Sequence, residues 1–383
     1  MRLCTVSRRM MVMFIGAVLL ISTLAATVLA GSTLAATTKP DAASGAPEAK
    51  GSSGKLTLKE AVDFALQHSN AMKLASLALD TARLAYQQAK ADQLIRASIL
   101  ADLQAEATWQ AAQKNYEIAK SDLALQVEQA YYDVQKAKRG LVISQENVER
   151  ANKQLEIIRS KFKLGMVARL DVITAESEVA GAQVDLSKAE ANLALANMRF
   201  NQIIGRDLEV PVELASDFGY KPVTLDMKKE TERALASRLE ILKAQDAVEL
   251  AKKEVEVNNN DFTPALDLAR SKIGLSQAEV ELEDTKVNVL LEIKQNYESM
   301  KDAERRIALQ EKAFAQAQES LKIAKARYDA GVITSIDLFD AQRALYQADT
   351  ARLQAVFDYN VALARLYKSL SLSLQERSND GSR

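Results

Sequence analysis

The sequence predicts an all-α fold of two tandem repeats, each a long antiparallel coiled-coil helical hairpin. Three observations carry that prediction. A short phrase recurs at an offset of 166 residues: Phe162, the run GMVARLD from Gly165 to Asp171, and Ala175, then Tyr328, the run GVITSID from Gly331 to Asp337, and Ala341. Each copy sits between two long helical patterns, and an internal repeat fixes the architecture before any local detail does. Apolar residues flanking the phrase are spaced alternately by three and four, the period of a coiled-coil seam. Helix breakers are missing where helices need them missing: no Gly or Pro lies between Lys55 and Arg139, and only Pro211, Pro222 and Pro264 follow residue 54.

The seam is explicit. Val148, Ala151, Leu155, Ile158 and Phe162 precede the first turn, and their counterparts are Phe314, Ala317, Leu321, Ala324 and Tyr328. After the turn come Val179, Ala182, Leu186, Ala189, Leu193, Ala196, Phe200 and Ile203. Their counterparts run from Leu345 to Ser369, with Arg352 and Ser369 breaking the stripe. Ala and Leu alternate along the seam, so partner helices can approach closely.

The elements follow in order. Arg2, Arg8 and Arg9 precede an apolar run from Met10 to about Ala30, so residues 1–36 read as a signal peptide or an N-terminal anchor. Val28 and Ala30 suit the −3 and −1 positions of a cleavage site, with Ala35 or Ala36 as alternatives. The run, at ~20 residues, is also long enough to span a bilayer. Residues 37–55 are a Ser/Gly/Ala/Pro spacer whose composition predicts disorder. The helical domain spans 56–374. Its first helix is expected from Leu56 to Asp92, opened by Thr57 and Glu60 at capping-box spacing. The pattern from Ala97 to Lys163 scarcely pauses, with Gly140 the only weak point; at 1.5 Å per residue that is ~100 Å. The stretch from Asp92 to Glu106 reads as uninterrupted helix. After the Gly165 turn, a helix from Leu170 to Ile204 ends at Gly205, closing repeat one (56–205). A linker (206–222) holds Pro211, Gly219 and Pro222, with Leu208–Glu213 as a short extended candidate. Repeat two (223–374) predicts a helix to Val257, a loop from Asn258 to Pro264, a long helix from Leu266 to Ala330, and a last helix from Ser335 to Leu372. A polar tail (375–383) follows.

Composition narrows the function. Lys+Arg number 50 and Asp+Glu 51, which excludes a strongly basic nucleic-acid binder. Cys4, the single cysteine, lies ahead of the apolar run, so thiol chemistry is not expected of a processed chain. His68 is the single histidine, with no ligand cluster near it, and reads as a helix-surface residue. No Gly-rich phosphate loop occurs. Trp109 reads as packing, and Lys322, Lys325, Arg327 and Asp329 as a solvated face. No metal, cofactor or enzyme activity is expected.

The paired half-repeats, their helix order, and the turns from Leu164 to Val172 and from Ala330 to Leu338 resemble the TolC-like outer-membrane efflux proteins, over about residues 56–372. The resemblance implies a homotrimer whose helices form a hollow periplasmic α-barrel, closed at the tip by an iris of helix pairs. It also implies a passive conduit that works with a periplasmic adaptor (a membrane-fusion protein) and an inner-membrane pump, in association with a membrane. By position, Gly165 and Gly331 fall at the tip turns that face the adaptor. Asp337 and Asp340 match the acidic pair of the aperture, and Tyr328 and Asp171 match residues that latch neighbouring helix pairs. The family's latch arginine falls at Ile333, which carries no charge. Three copies of Asp337 about an axis would make a negative ring favouring cations. Asp337 and Asp171 equally suit helix caps.

One departure from the family is expected. Its membrane-crossing strands follow the first helix of each half, and such strands need ~9–11 residues. Here those places read as helix, with Phe262–Leu268 the only short remnant, so the fold holds little or no β-barrel. Two functions stay open: a subunit of an efflux or export channel, or an exported or membrane-anchored coiled-coil protein that bridges envelope layers without conducting.

Overall fold

The computed structural model describes residues 55–95, 97–215 and 219–372. Among these lie eight α-helices and no strand: α1 (Leu58–His68), α2 (Asn70–Gln93), α3 (Ile99–Lys163), α4 (Arg169–Ile204), α5 (Met227–Ser237), α6 (Leu239–Asn258), α7 (Ala265–Asp329) and α8 (Ser335–Ser369). The leader and spacer expectations, residues 1–54, lie outside the described residues, as does the polar tail.

The repeat is carried at full length. Helices α3 and α7 are 65 residues each, or about 98 Å. Helix α3 packs on α4 and α7 on α8, forming two antiparallel hairpins, and α3 also packs along α8. Two equivalent apolar cores form at the linker-proximal ends. One joins Val62, Tyr131, Phe200 and Ile204; the other joins Ile241, Ile293, Tyr359 and Leu366. A third core, of Leu155, Ile158, Val179, Leu321, Leu338 and Phe339, is shared by both hairpins near their turns.

The structure corrects three local expectations. Neither repeat opens with one continuous helix: the chain breaks at Ser69 and at Arg238, both in extended conformation. At Ser69 the hydroxyl accepts the Met72 N–H (3.2 Å), starting α2 afresh. The break lets the end of α4 close onto α1: Gly205, at φ +80°, sits where a Cβ would stand 2.5 Å from the His68 carbonyl oxygen. At Arg238 the buried guanidinium holds the break. It donates to the Ser369 carbonyl (2.9 Å), to both oxygens of Glu240 (2.9 and 3.0 Å) and to Glu292 (2.9 Å).

The second correction is at Asp92–Glu106. Helix α2 ends at Gln93, and α3 restarts after Ser98, whose hydroxyl caps the Ala101 N–H at 3.3 Å. Five residues connect the two helices, and six, Asn259–Pro264, connect α6 to α7. Neither connection has room for a membrane-spanning strand. Third, Leu208–Glu213 forms no strand; the extended pairing nearby is one isolated parallel bridge between Leu56 and Leu214.

Candidate functional site: the paired hairpin tips

The two tips are built alike, from the backbone up. Lys161 and Phe162 accept the N–H groups of Met166 and Gly165, both at 2.9 Å; Arg327 and Tyr328 accept those of Val332 (2.9 Å) and Gly331 (3.0 Å). This pattern ends a helix with a residue in the left-handed region, and Gly165 and Gly331 have φ of +72° and +70°. Nothing lies within 4 Å of the place where either would carry a Cβ. Backbone conformation, and no crowding, calls for glycine there.

The next helices start through the two aspartates. Asp171 Oδ2 accepts the Ala168 N–H, and Asp337 Oδ2 accepts the Thr334 N–H, each at 2.9 Å. The second tip adds the Thr334 hydroxyl, which donates to Asp337 (2.7 Å) and accepts the Asp337 N–H (3.3 Å), completing a capping box. The aspartates thus act from the third helical position, while Ala168 and Thr334 occupy the N-cap. The Thr334 hydroxyl and N–H hold the Asp337 carboxyl below its ordinary range.

The tips lie at one end of the molecule and touch. Asp171 Oδ1 accepts the hydroxyl of the buried Ser335 at 2.5 Å. The Lys161 ammonium lies 4.2 Å from the centre of the Tyr328 ring and 3.4 Å from Asp329. Arg343 bridges Glu178 (2.6 Å) and Asp340 (3.1 Å). Asp340 therefore has a cationic partner, whereas Asp337 is exposed and makes no ion pair among the described residues. Tyr328 is 7% exposed, while its repeat partner Phe162 is 42% exposed. The Tyr328 hydroxyl is buried with no hydrogen-bond partner among the described residues. Burial, then the charges of Asp171 and Asp329, raise its pKa.

Of the residues expected from sequence, Asp171, Tyr328, Gly165 and Gly331 thus gather at one joint, and Asp337 and Asp340 lie on its exposed side. Ser335, Lys161 and the Arg343–Glu178 bridge are additions that the sequence reading misses. For Ser335 and Arg343 a signal exists: at the 166-residue offset they align with Arg169 and Ser177, so both are places where the repeats disagree. Away from the tips, α3, α4 and α8 line a half-open cavity of about 710 Å³ whose charged residues are Asp133, Lys136, Asp185, Lys188 and Arg199. Burial raises the Asp133 carboxyl, against the pull of Lys136 and Arg199.

Comparison with known proteins bears on the family and the fold. The family model described as outer membrane efflux protein matches residues 101–206 and 270–371, more than half of the chain. Both matched segments begin just after the short connections described above. TolC of Vibrio cholerae is 22% identical, with 69% of this chain and 71% of that protein aligned. Nodulation protein T of Rhizobium leguminosarum is 24% identical (70% and 66%), and the alkaline protease secretion protein AprF of Pseudomonas aeruginosa 23% (61% and 59%). The chain thus spans between about three fifths and seven tenths of the length of these relatives. Among solved structures, the Campylobacter jejuni CmeC outer membrane channel superposes with a TM-score of 0.68 at 15% identity, covering 85% of this chain and 89% of CmeC. The Neisseria gonorrhoeae MtrE channel does so at 0.66 and 18%, covering 83% and 90%. On the family match, with the paired tips and the shared fold, this chain belongs to the outer membrane efflux protein family.

Proposed function

We propose that the chain is one subunit of a passive efflux conduit in the cell envelope, assembled as a homotrimer and without catalytic activity of its own. A periplasmic adaptor would meet the tips, where Leu164, Met166 and Val332 project into solvent, and an inner-membrane pump would supply the substrate. The observation that supports this reading best is the tip joint: two hairpins ending at one level, each on a left-handed glycine, tied by Asp171 and Ser335. Such a joint can close a tunnel and release it by breaking few contacts. Asp337, held ionised and exposed beside it, suits an aperture that favours cations.

Reconstitution tests the reading. With an adaptor and pump in cells lacking their own conduit, the chain should restore export, and Asp337→Asn should weaken export of cationic substrates most. A chain that reaches the envelope but never restores export, with or without the tip contacts, would leave the bridging role as the better account.

A further inference from the structure

We propose that the end opposite the glycine tips docks on a lipid bilayer by dipping its apolar turn residues into the interface. The two short connections lie together at that end: Gln104, near the start of α3, donates to Glu254, near the end of α6, at 2.9 Å. Solvent-facing turns ordinarily carry Gly, Asn, Asp or Pro. The second connection does carry Asn259, Asn260, Asp261 and Pro264, yet the two together also present Leu94 (90% exposed), Ile95 (83%) and Phe262 (97%), with Ile99 and Leu266 exposed beside them. The second turn is built to hold its phenylalanine out. Asn260 accepts the Phe262 N–H (2.8 Å) and donates to Thr263 (2.9 Å) and the Val257 carbonyl (2.8 Å), closing the loop behind the ring.

Shape and charge favour lipid over a second copy of the chain. These residues cap the end of the rods, while side-by-side neighbours would cover the flanks. Lys90 pairs with Asp102 (2.5 Å) and Asp267 with Arg270 (3.6 Å), while the exposed carboxylates Asp92 and Asp261 make no ion pair among the described residues, so a zwitterionic surface suits this end better than an anionic one. Apolar side chains at a headgroup boundary need only shallow burial to hold a protein there. Three copies in one assembly would present the same set together, multiplying weak contacts. The inference rests on the envelope placement proposed above and does not require that the assembly conduct.

The test is Phe262→Trp in the full chain, mixed with phosphatidylcholine vesicles with and without brominated acyl chains. The unsubstituted protein is the control, since its single tryptophan, Trp109, stacks on Tyr86 at 6.5 Å and lies about 15 Å along α3 from Ile99. The new tryptophan should shift to the blue on vesicle addition and lose roughly half its emission to bromine, independent of salt, as interfacial insertion without net charge requires. Leu94→Ser with Ile95→Ser in that background should reverse much of the quenching while helicity stays unchanged. Vesicle binding with no bromine quenching, as an N-terminal anchor alone would give, overturns the proposal. So does emission already blue in buffer and indifferent to vesicles, because protein would then cover the turn.

Discussion

Asp171 and Ser335 are 164 residues apart in sequence and 2.5 Å apart in space. One carboxylate does two jobs: Oδ2 starts α4 through Ala168, and Oδ1 takes the hydroxyl that opens α8. In the repeat partner of Asp171, Asp337, Oδ2 accepts both the N–H and the hydroxyl of Thr334. Equivalent residues thus diverge, one into a tie between hairpins and the other into an exposed ionised group.

Breaking that tie should loosen the tip. Ser335→Ala removes one charge-assisted hydrogen bond and should cost about 1.5–3 kcal/mol. Asp171→Ala removes the helix-start contact as well and should cost more. Thermal denaturation measures the stability, and leakage through the export system restored with adaptor and pump should rise in both variants; equal or lower leakage would deny the joint a gating role.

Asp337 gives a pH prediction. Its folded pKa is depressed below the ordinary 3.8. Its stabilising contribution is therefore complete above about 3.8 and is lost as pH falls through the lower folded value. Cation preference should accordingly persist to acid pH below the usual titration of an aspartate. The preference of the purified assembly for a cationic over an anionic tracer, followed against pH and compared with Thr334→Val, would measure it: that substitution should move the loss of preference to higher pH.

The three left-handed glycines should not cost alike. Gly165→Ala and Gly331→Ala meet open space, so each should cost about 1–2 kcal/mol from backbone conformation alone. Asn should be better tolerated than Ala at both. Gly205→Ala adds a clash with the His68 carbonyl and should cost clearly more, read as a larger fall in Tm.

Arg238→Ala should destabilise the second repeat. Its guanidinium satisfies the Ser369 carbonyl and two carboxylates. Since Glu240 and Glu292 stay partly exposed and can rehydrate, the expected cost is about 2–3 kcal/mol. Urea denaturation checks it, and Arg238→Lys should recover only part.

The sequence disclosed the two tandem long hairpins and the local signals that bound their helices. Thr57 and Glu60 form the expected capping box, with Thr57 N–H to Glu60 at 2.8 Å and the return bond at 3.2 Å. Gly165, Gly205 and Gly331 end helices because left-handed backbone selects glycine. What escaped reading was tertiary. The breaks at Ser69 and Arg238 carry no Gly or Pro: Ser69 restarts the helix through Met72 close by, whereas Arg238 depends on the distant Ser369 and Glu292. Arg352 and Ser369 look like faults in an apolar seam. Yet Arg352 lies 4.1 Å from the centre of the Phe314 ring, and the Ser369 hydroxyl donates to Leu366 while its carbonyl serves Arg238. Asp337 and Asp171 differ visibly in their N-cap neighbours, Thr334 and Ala168, but the tie of Asp171 to Ser335 exists only because the start of α8 approaches it.

The central claim is that these two hairpins, level at their glycine ends, form part of the wall of a threefold hollow cylinder. Electron cryo-microscopy of the purified full chain tests it most directly. The account predicts a ring of three chains around an axial lumen, walls about 100 Å tall, narrowing at the end that carries Gly165 and Gly331. A lone chain, or a solid bundle with no axial channel, would contradict it.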